Sequence, residues 1–181
     1  MALKNTDDQF GFVTRTLHWA TALLVLVTIP IGLWIANAEF SLAILPFFAR
    51  HKALGILVLV MIIARVLWHR FSPPPASLSH GIAWQDVLAI WVHRAFYVFL
   101  VAMPLSGWIA SSATGIDTVI FGRWTLPAIA PVSESWENIG FLIHGLLGKI
   151  LIVIILLHIF GALFRAFIKR DGTLRRMVNG T

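Results

Sequence analysis

The sequence predicts an all-α membrane protein: a four-transmembrane-helix bundle with both termini cytoplasmic. Three observations predict it. Of 181 residues, 59% are hydrophobic and 12% charged, a balance typical of membrane proteins. The apolar residues gather into four runs, each close to or above the roughly 20 residues a spanning helix needs. The cations are shared unevenly between alternate loops.

The first run covers about residues 15–37. Ala36-Asn37-Ala38 resembles a leader cleavage site, but the apolar core exceeds the roughly 7–15 residues of a secretory leader, so the run is read as a helix. The second, about 51–69, only just reaches spanning length. Next comes FSPPPASLSHG, whose three prolines favour a stiff, extended inner turn. The third run, about 86–111, contains Pro104 and Gly107, which predict a kink that a bundle tolerates. The outer connection, about 112–137, carries GIDTVIFGRWTLPAIAPVSES. Its tryptophan and prolines suggest a lid at the membrane interface. The fourth run covers about 139–167. Without internal repeat or soluble domain, residues 1–181 read as one integral membrane domain.

Charge orients the bundle. With the N-terminus inside, the inner side holds ten cations: Lys4, Arg15, Arg65, Arg70, Arg94, Arg165, Lys169, Arg170, Arg175 and Arg176. The outer side holds Arg50, Lys52 and Arg123, and Lys149 lies within the fourth run. The net +6 therefore marks juxtamembrane anchoring rather than nucleic-acid binding. There is no cysteine, which excludes disulfides, thiolate iron–sulfur clusters and the C-x-x-C-H attachment of c-type haem.

The fourth run, FLIHGLLGKILIVIILLHIFGALF, raises a specific question. It places His144 and His158 in lipid, where polar groups are costly and need a reason. Fourteen residues of helix rise about 21 Å and fall about 40° short of four turns. The two imidazoles share a face at two depths, one near each leaflet. His51 matches His144 in depth on the outer side, and His18 matches His158 on the inner side. Two axial imidazoles from facing helices suit a six-coordinate b-type haem. A flat macrocycle also needs a small residue one turn on. Ala22, Gly55, Gly148 and Ala162 stand four residues after His18, His51, His144 and His158. Pro73, Trp84 and Tyr97 follow His69, His80 and His93.

Other polar residues find places around this frame. His93 is either an interhelical contact or, with Arg94, a quinone contact or proton relay near the inner haem. His69 reads as interfacial and His80 as a loop residue. Arg15 and Arg65 inside, and Arg50 and Lys52 outside, are candidates for holding haem propionates. Lys149 is either a proton or anion site or a side chain that snorkels outward, the structural reading being preferred. A non-redox channel using its histidines for protons is the competing reading.

RTLHW, HRAFYVFLVAMPLSGW, the H-x13-H of the fourth run and the tail KRDGTLRRM resemble the bacterial cytochrome b561 family, which is related to the cytochrome b subunits of nickel–iron hydrogenases and formate dehydrogenases. The resemblance spans nearly the whole chain. It implies an inner-membrane, multi-pass protein with two b haems, ligated by His18 with His158 and by His51 with His144. It also implies quinone chemistry. Members have been described as superoxide oxidases, which take an electron from superoxide outside and reduce ubiquinone. The alternative is a membrane-anchor cytochrome b subunit that passes electrons between a larger dehydrogenase or hydrogenase and the quinone pool. The outer loops carry three cations against Glu39, Asp117, Glu134 and Glu137, so they do not as a whole attract an anionic donor.

Overall fold

The computed structural model describes residues 2–78 and 83–180, so His80 lies outside the described residues. Among those described, four helices are long and apolar enough to cross a membrane: α1 (Phe12–Asn37), α2 (Leu45–Phe71), α3 (Ala83–Ala113) and α4 (Glu134–Phe164). A short α5 (Thr173–Asn179) follows.

The helices outrun the apolar stretches because their ends are set by local backbone chemistry. α2 begins at Leu45 with proline in its first turn, where the missing N–H costs nothing. His51 therefore sits more than a turn inside α2 rather than at its mouth. α4 begins with Glu134 and Glu137 in its first turn, where carboxylates favour the positive end of the helix dipole. α4 runs on into a π-helical turn, Arg165–Lys169, which is followed by Arg170 at φ 52°.

Direct helix packing runs α1 to α2, α2 to α3, and α3 to α4. Val25, Val58, Leu59, Ile62, Leu100 and Leu151 form one buried cluster from all four helices. Leu151 lies seven residues from His144 and seven from His158, so this apolar layer separates the two histidine levels. Outward-facing side chains such as Leu156 (61% exposed) and Phe160 (71%) are apolar, as lipid contact requires.

Both termini lie at one end of the bundle, called inner here. The N-terminal segment folds back: Asn5 bonds Ser72 through its backbone N–H (2.8 Å) and donates its side-chain amide to the Ser72 carbonyl (2.8 Å). α5 closes the same end, with Arg15 Nη1 donating to the Val178 carbonyl (2.7 Å) and Trp19 Nε1 to that of Met177 (3.1 Å). Arg165 ties α4 to α3 through Asp86 (3.0 Å) and to the tail through Asp171 (3.5 Å).

At the outer end the expected lid contains a hairpin. β1 (Thr118–Ile120) pairs antiparallel with β2 (Trp124–Leu126), Val119 opposite Thr125. Phe121 and Gly122 turn the chain at φ 51° and 67°, the left-handed pair that matches strand twist. Ser111 and Thr118 share a hydroxyl hydrogen bond (3.1 Å), and Trp108 Nε1 donates to the Pro127 carbonyl (3.1 Å). The hairpin is thus fastened to the end of α3.

Candidate functional site

The structure brings His51 of α2 to His144 of α4, with ring centroids 6.0 Å apart. It brings His18 of α1 to His158 of α4, at 6.2 Å. The separation carries information. Two hydrogen-bonded imidazoles place their centroids about 5.2 Å apart, allowing ~2.9 Å between nitrogens. Two imidazoles on one metal ion, with metal–nitrogen bonds of about 2.0–2.1 Å and ring radii near 1.1 Å, place them about 6.3 Å apart. The 6.0 and 6.2 Å separations lie nearer the second value than the first. The helices that carry them, α1 with α4 and α2 with α4, are not among the closely packed neighbours. Among the described residues no group of three or more His, Asp or Glu side chains could hold a metal ion. The donor set at each level is two imidazoles, which fits a b-type haem whose porphyrin supplies the other four nitrogens.

The outer pair is held from behind. His51 Nδ1 lies 3.2 Å from the Thr28 carbonyl of α1. A carbonyl only accepts, so Nδ1 carries the proton and Nε2 keeps its lone pair for a metal. His144 Nδ1 likewise lies 3.1 Å from the Met103 carbonyl of α3. Ser106 donates to that carbonyl (2.8 Å) and offers its oxygen to His144 Nδ1 at 3.1 Å. Four residues beyond each accepting carbonyl stands a glycine. A Cβ on Gly32 would fall 2.6 Å from His51 Cε1, and one on Gly107 would fall 2.8 Å from His144 Cε1. Each ring therefore lies against bare backbone, fixed by the carbonyl one turn before. Thr28, Gly32, Met103 and Ser106 were not singled out from the sequence, and Gly107 was read only as a kink. The available signal was a glycine within an apolar run.

Room for the macrocycle differs between the two turns that follow these histidines. A Cβ on Gly55 would meet nothing within 4 Å, whereas one on Gly148 would lie 3.0 Å from the Met103 methyl. The methionine end is flexible and yields more readily than backbone.

The inner pair sits among other polar groups. Arg65 Nη1 lies 3.3 Å from His18 Nδ1. A guanidinium only donates, so His18 Nδ1 accepts. Ligation through Nε2 requires the His18 proton to reside on Nδ1 and this contact to open. His93 of α3 stands 5.3 Å from His158, ring to ring, and Phe96 stands 5.1 Å. His93 Nδ1 donates to the Ala89 carbonyl of its own helix (2.6 Å). His93 is exposed on the bundle surface and still touches a candidate ligand.

The candidate propionate cations separate. Arg65 is at the inner pair. Arg15 is 7% exposed and reaches the Val178 carbonyl. Arg50 lies over the Phe47 ring (5.2 Å), and Lys52 is partly buried beside His51. Arg94 is exposed and lies over Trp91 (5.2 Å). Lys149 is exposed on the outward face of α4, where a snorkelling side chain would be found.

Residues 9–180 match the family described as prokaryotic cytochrome b561. Cytochrome b561 homolog 2 of Escherichia coli (strain K12) is 30% identical over 182 residues, covering 98% of this chain and 95% of its own. Cytochrome b561 homolog 1 of the same organism is 28% identical over 185 residues, covering 94% and 97%. The chain belongs to the prokaryotic cytochrome b561 family, membrane b-type cytochromes that transfer electrons.

Proposed function

We propose that this protein is a di-haem cytochrome of the bacterial inner membrane that moves electrons from a donor on the outer side to ubiquinone on the inner side. The observation that carries the proposal is the meeting of histidines in two pairs, ring centroids 6.0 and 6.2 Å apart, at two depths. His51 and His144 would hold the outer haem, and His18 and His158 the inner one. When bound, the haems supply one-electron chemistry at two levels of the bilayer.

The protein's own residues do the rest. The carbonyls of Thr28 and Met103 orient the outer imidazoles. Two imidazoles at each level would hold a haem from both sides, which would disfavour oxygen binding there. The apolar layer around Leu151 keeps water out of the space between the levels. His93 is reachable from lipid and lies against His158, which supports it, with Arg94 a turn-neighbour on the surface, as the contact for the quinone head group. Arg50 and Lys52 beside His51 attract small anions, which favours superoxide as donor despite the acidic loops. Two superoxide ions would give up one electron each and leave as oxygen; ubiquinone would take both electrons and two protons.

The test is haem quantitation on the purified protein, followed by mixing with superoxide in the presence and absence of ubiquinone. The proposal expects two haems per chain and superoxide loss that requires quinone. Two haems without that activity would move the assignment to a membrane anchor for a larger dehydrogenase or hydrogenase. No haem would end the cytochrome reading.

A further inference from the structure

A partly buried polar chain leads away from the inner histidine pair. It starts at His18 Nδ1, 3.3 Å from Arg65 Nη1. The Arg65 guanidinium carbon lies 5.9 Å from the Tyr97 ring centroid, and the Tyr97 hydroxyl lies 3.1 Å from His69 Nδ1. Arg65 and His69 are one turn apart on α2, and Tyr97 reaches them from α3. Arg65 Nε and His69 Nε2 are buried without a hydrogen-bond partner among the described residues. Such orphans are rare enough to need a reason. The outer pair has no counterpart; its polar contacts end at backbone carbonyls and one serine.

We infer that His69 and Tyr97 form a proton-binding site coupled to the inner haem. This rests on the di-haem reading above. When a one-electron reductant turns the inner ferric iron ferrous, the inner level gains one negative charge. His69 takes one proton from water at the inner face, and the charge balances. When the electron leaves, the proton leaves with it.

The hydrogen bond allows both states. A neutral His69 accepts from the Tyr97 hydroxyl and carries its proton on Nε2. A cationic His69 has a proton on each nitrogen and donates to the Tyr97 oxygen instead. The contact persists with its direction reversed, so uptake needs no repacking. His69 stands in the last turn of α2, beside exposed Arg70 and the inner loop, where protons exchange with water. The charged and titratable groups bearing on it are Arg65 from its own helix and Tyr97 from α3. α1 meets this end of α2 through a neutral bond, Trp68 Nε1 to the Thr14 hydroxyl (3.0 Å). Arg65 links the two ends through its charge, which acts on both His18 and His69 and does not need the His18 contact to stay closed. An electron at the inner level weakens the net positive field there, and that favours a proton on His69.

The test is potentiometric titration of the purified two-haem protein with dithionite and ferricyanide, across about pH 4 to 8, which brackets the exchange of an imidazole proton. In the wild type the inner midpoint potential is expected to fall as pH rises, by up to 59 mV per tenfold drop in proton concentration; the outer one stays flat. His69→Gln is expected to abolish the slope with both haems retained. Tyr97→Phe is expected to keep a slope but move its pH range, because His69 remains and its hydrogen-bond partner does not. An unaltered slope in His69→Gln, or a flat inner potential in the wild type, overturns the inference while leaving the di-haem reading intact. Fewer than two haems per chain removes the inner site and the inference together.

Discussion

At the outer level each imidazole is backed by a carbonyl of the helix it faces and lies against a glycine of that helix. At the inner level His18 meets a guanidinium, while His158 meets Phe96 and a third histidine. The spacing within the two pairs is nearly the same, 6.0 against 6.2 Å. What differs is freedom. Carbonyl acceptors allow one tautomer only, so each outer ring keeps the lone pair of Nε2 free. In the proposed ligation His18 would move its proton to Nδ1 and release Arg65. A rigid station suits simple electron entry. A station surrounded by titratable groups suits the end at which electrons are matched by protons.

Removing a ligand gives the largest effect on this comparison. His144→Ala and His158→Ala are each expected to lower the haem content from two to one per chain, read by pyridine haemochromogen. The two variants should lose different bands of the reduced-minus-oxidised spectrum. Loss of both haems from either variant would mean that the levels are not separate sites.

Filling the glycine contacts comes next. Gly107→Val and Gly32→Val put atoms where the outer rings lie, and overpacking of this kind costs roughly 1–3 kcal/mol. The outer haem should be lost or bound about 10–100-fold more weakly, with the inner spectrum unchanged. Gly55→Leu sharpens the point. A Cβ there meets no protein atom within 4 Å, so the helical circular dichroism should be preserved while outer haem retention falls. Full retention in Gly55→Leu would show that the macrocycle does not use that space.

Arg65→Gln probes the inner level alone. Its guanidinium disfavours the ferric, more positive state, so its loss should lower the inner midpoint potential. At an effective dielectric near 20 a charge this close is worth ~1–2 kcal/mol, or roughly 50–100 mV for one electron. The outer potential should not move. Equal shifts in both potentials would point to a general change in the bundle.

Much of this was legible in the sequence, and the rest was hidden for identifiable reasons. Four spans follow from hydropathy, and the face shared by His144 and His158 follows from helical pitch. Partner depths follow once orientation is read from the loop cations. The backing of the outer rings was not visible, because Thr28 and Met103 act through carbonyls, which no side-chain motif advertises. Gly32 touches His51 across a helix–helix contact 19 residues away in sequence, so its purpose is a tertiary fact. Arg15 was read as a candidate propionate cation from its place at the inner end of the first run; the unforeseen α5 gives it a carbonyl partner there. The hairpin escaped because strands of three residues carry too little alternation to register.

Ser106 offers the smallest and most specific probe of what holds the outer level. Its hydroxyl donates to the Met103 carbonyl and accepts from His144 Nδ1. Ser106→Ala removes one of two acceptors and leaves the carbonyl in place. The net worth of one such bond is about 0.5–1.5 kcal/mol, too little to lose the haem. The outer midpoint potential should still shift, because a weaker bond at Nδ1 makes the imidazole a poorer donor to iron and favours the ferrous state. A rise of a few tens of millivolts in the outer potential, with the inner one unchanged, is the expected result of redox titration. If the outer potential stays put, the carbonyl alone sets the ring, and the serine serves only to satisfy the Met103 carbonyl.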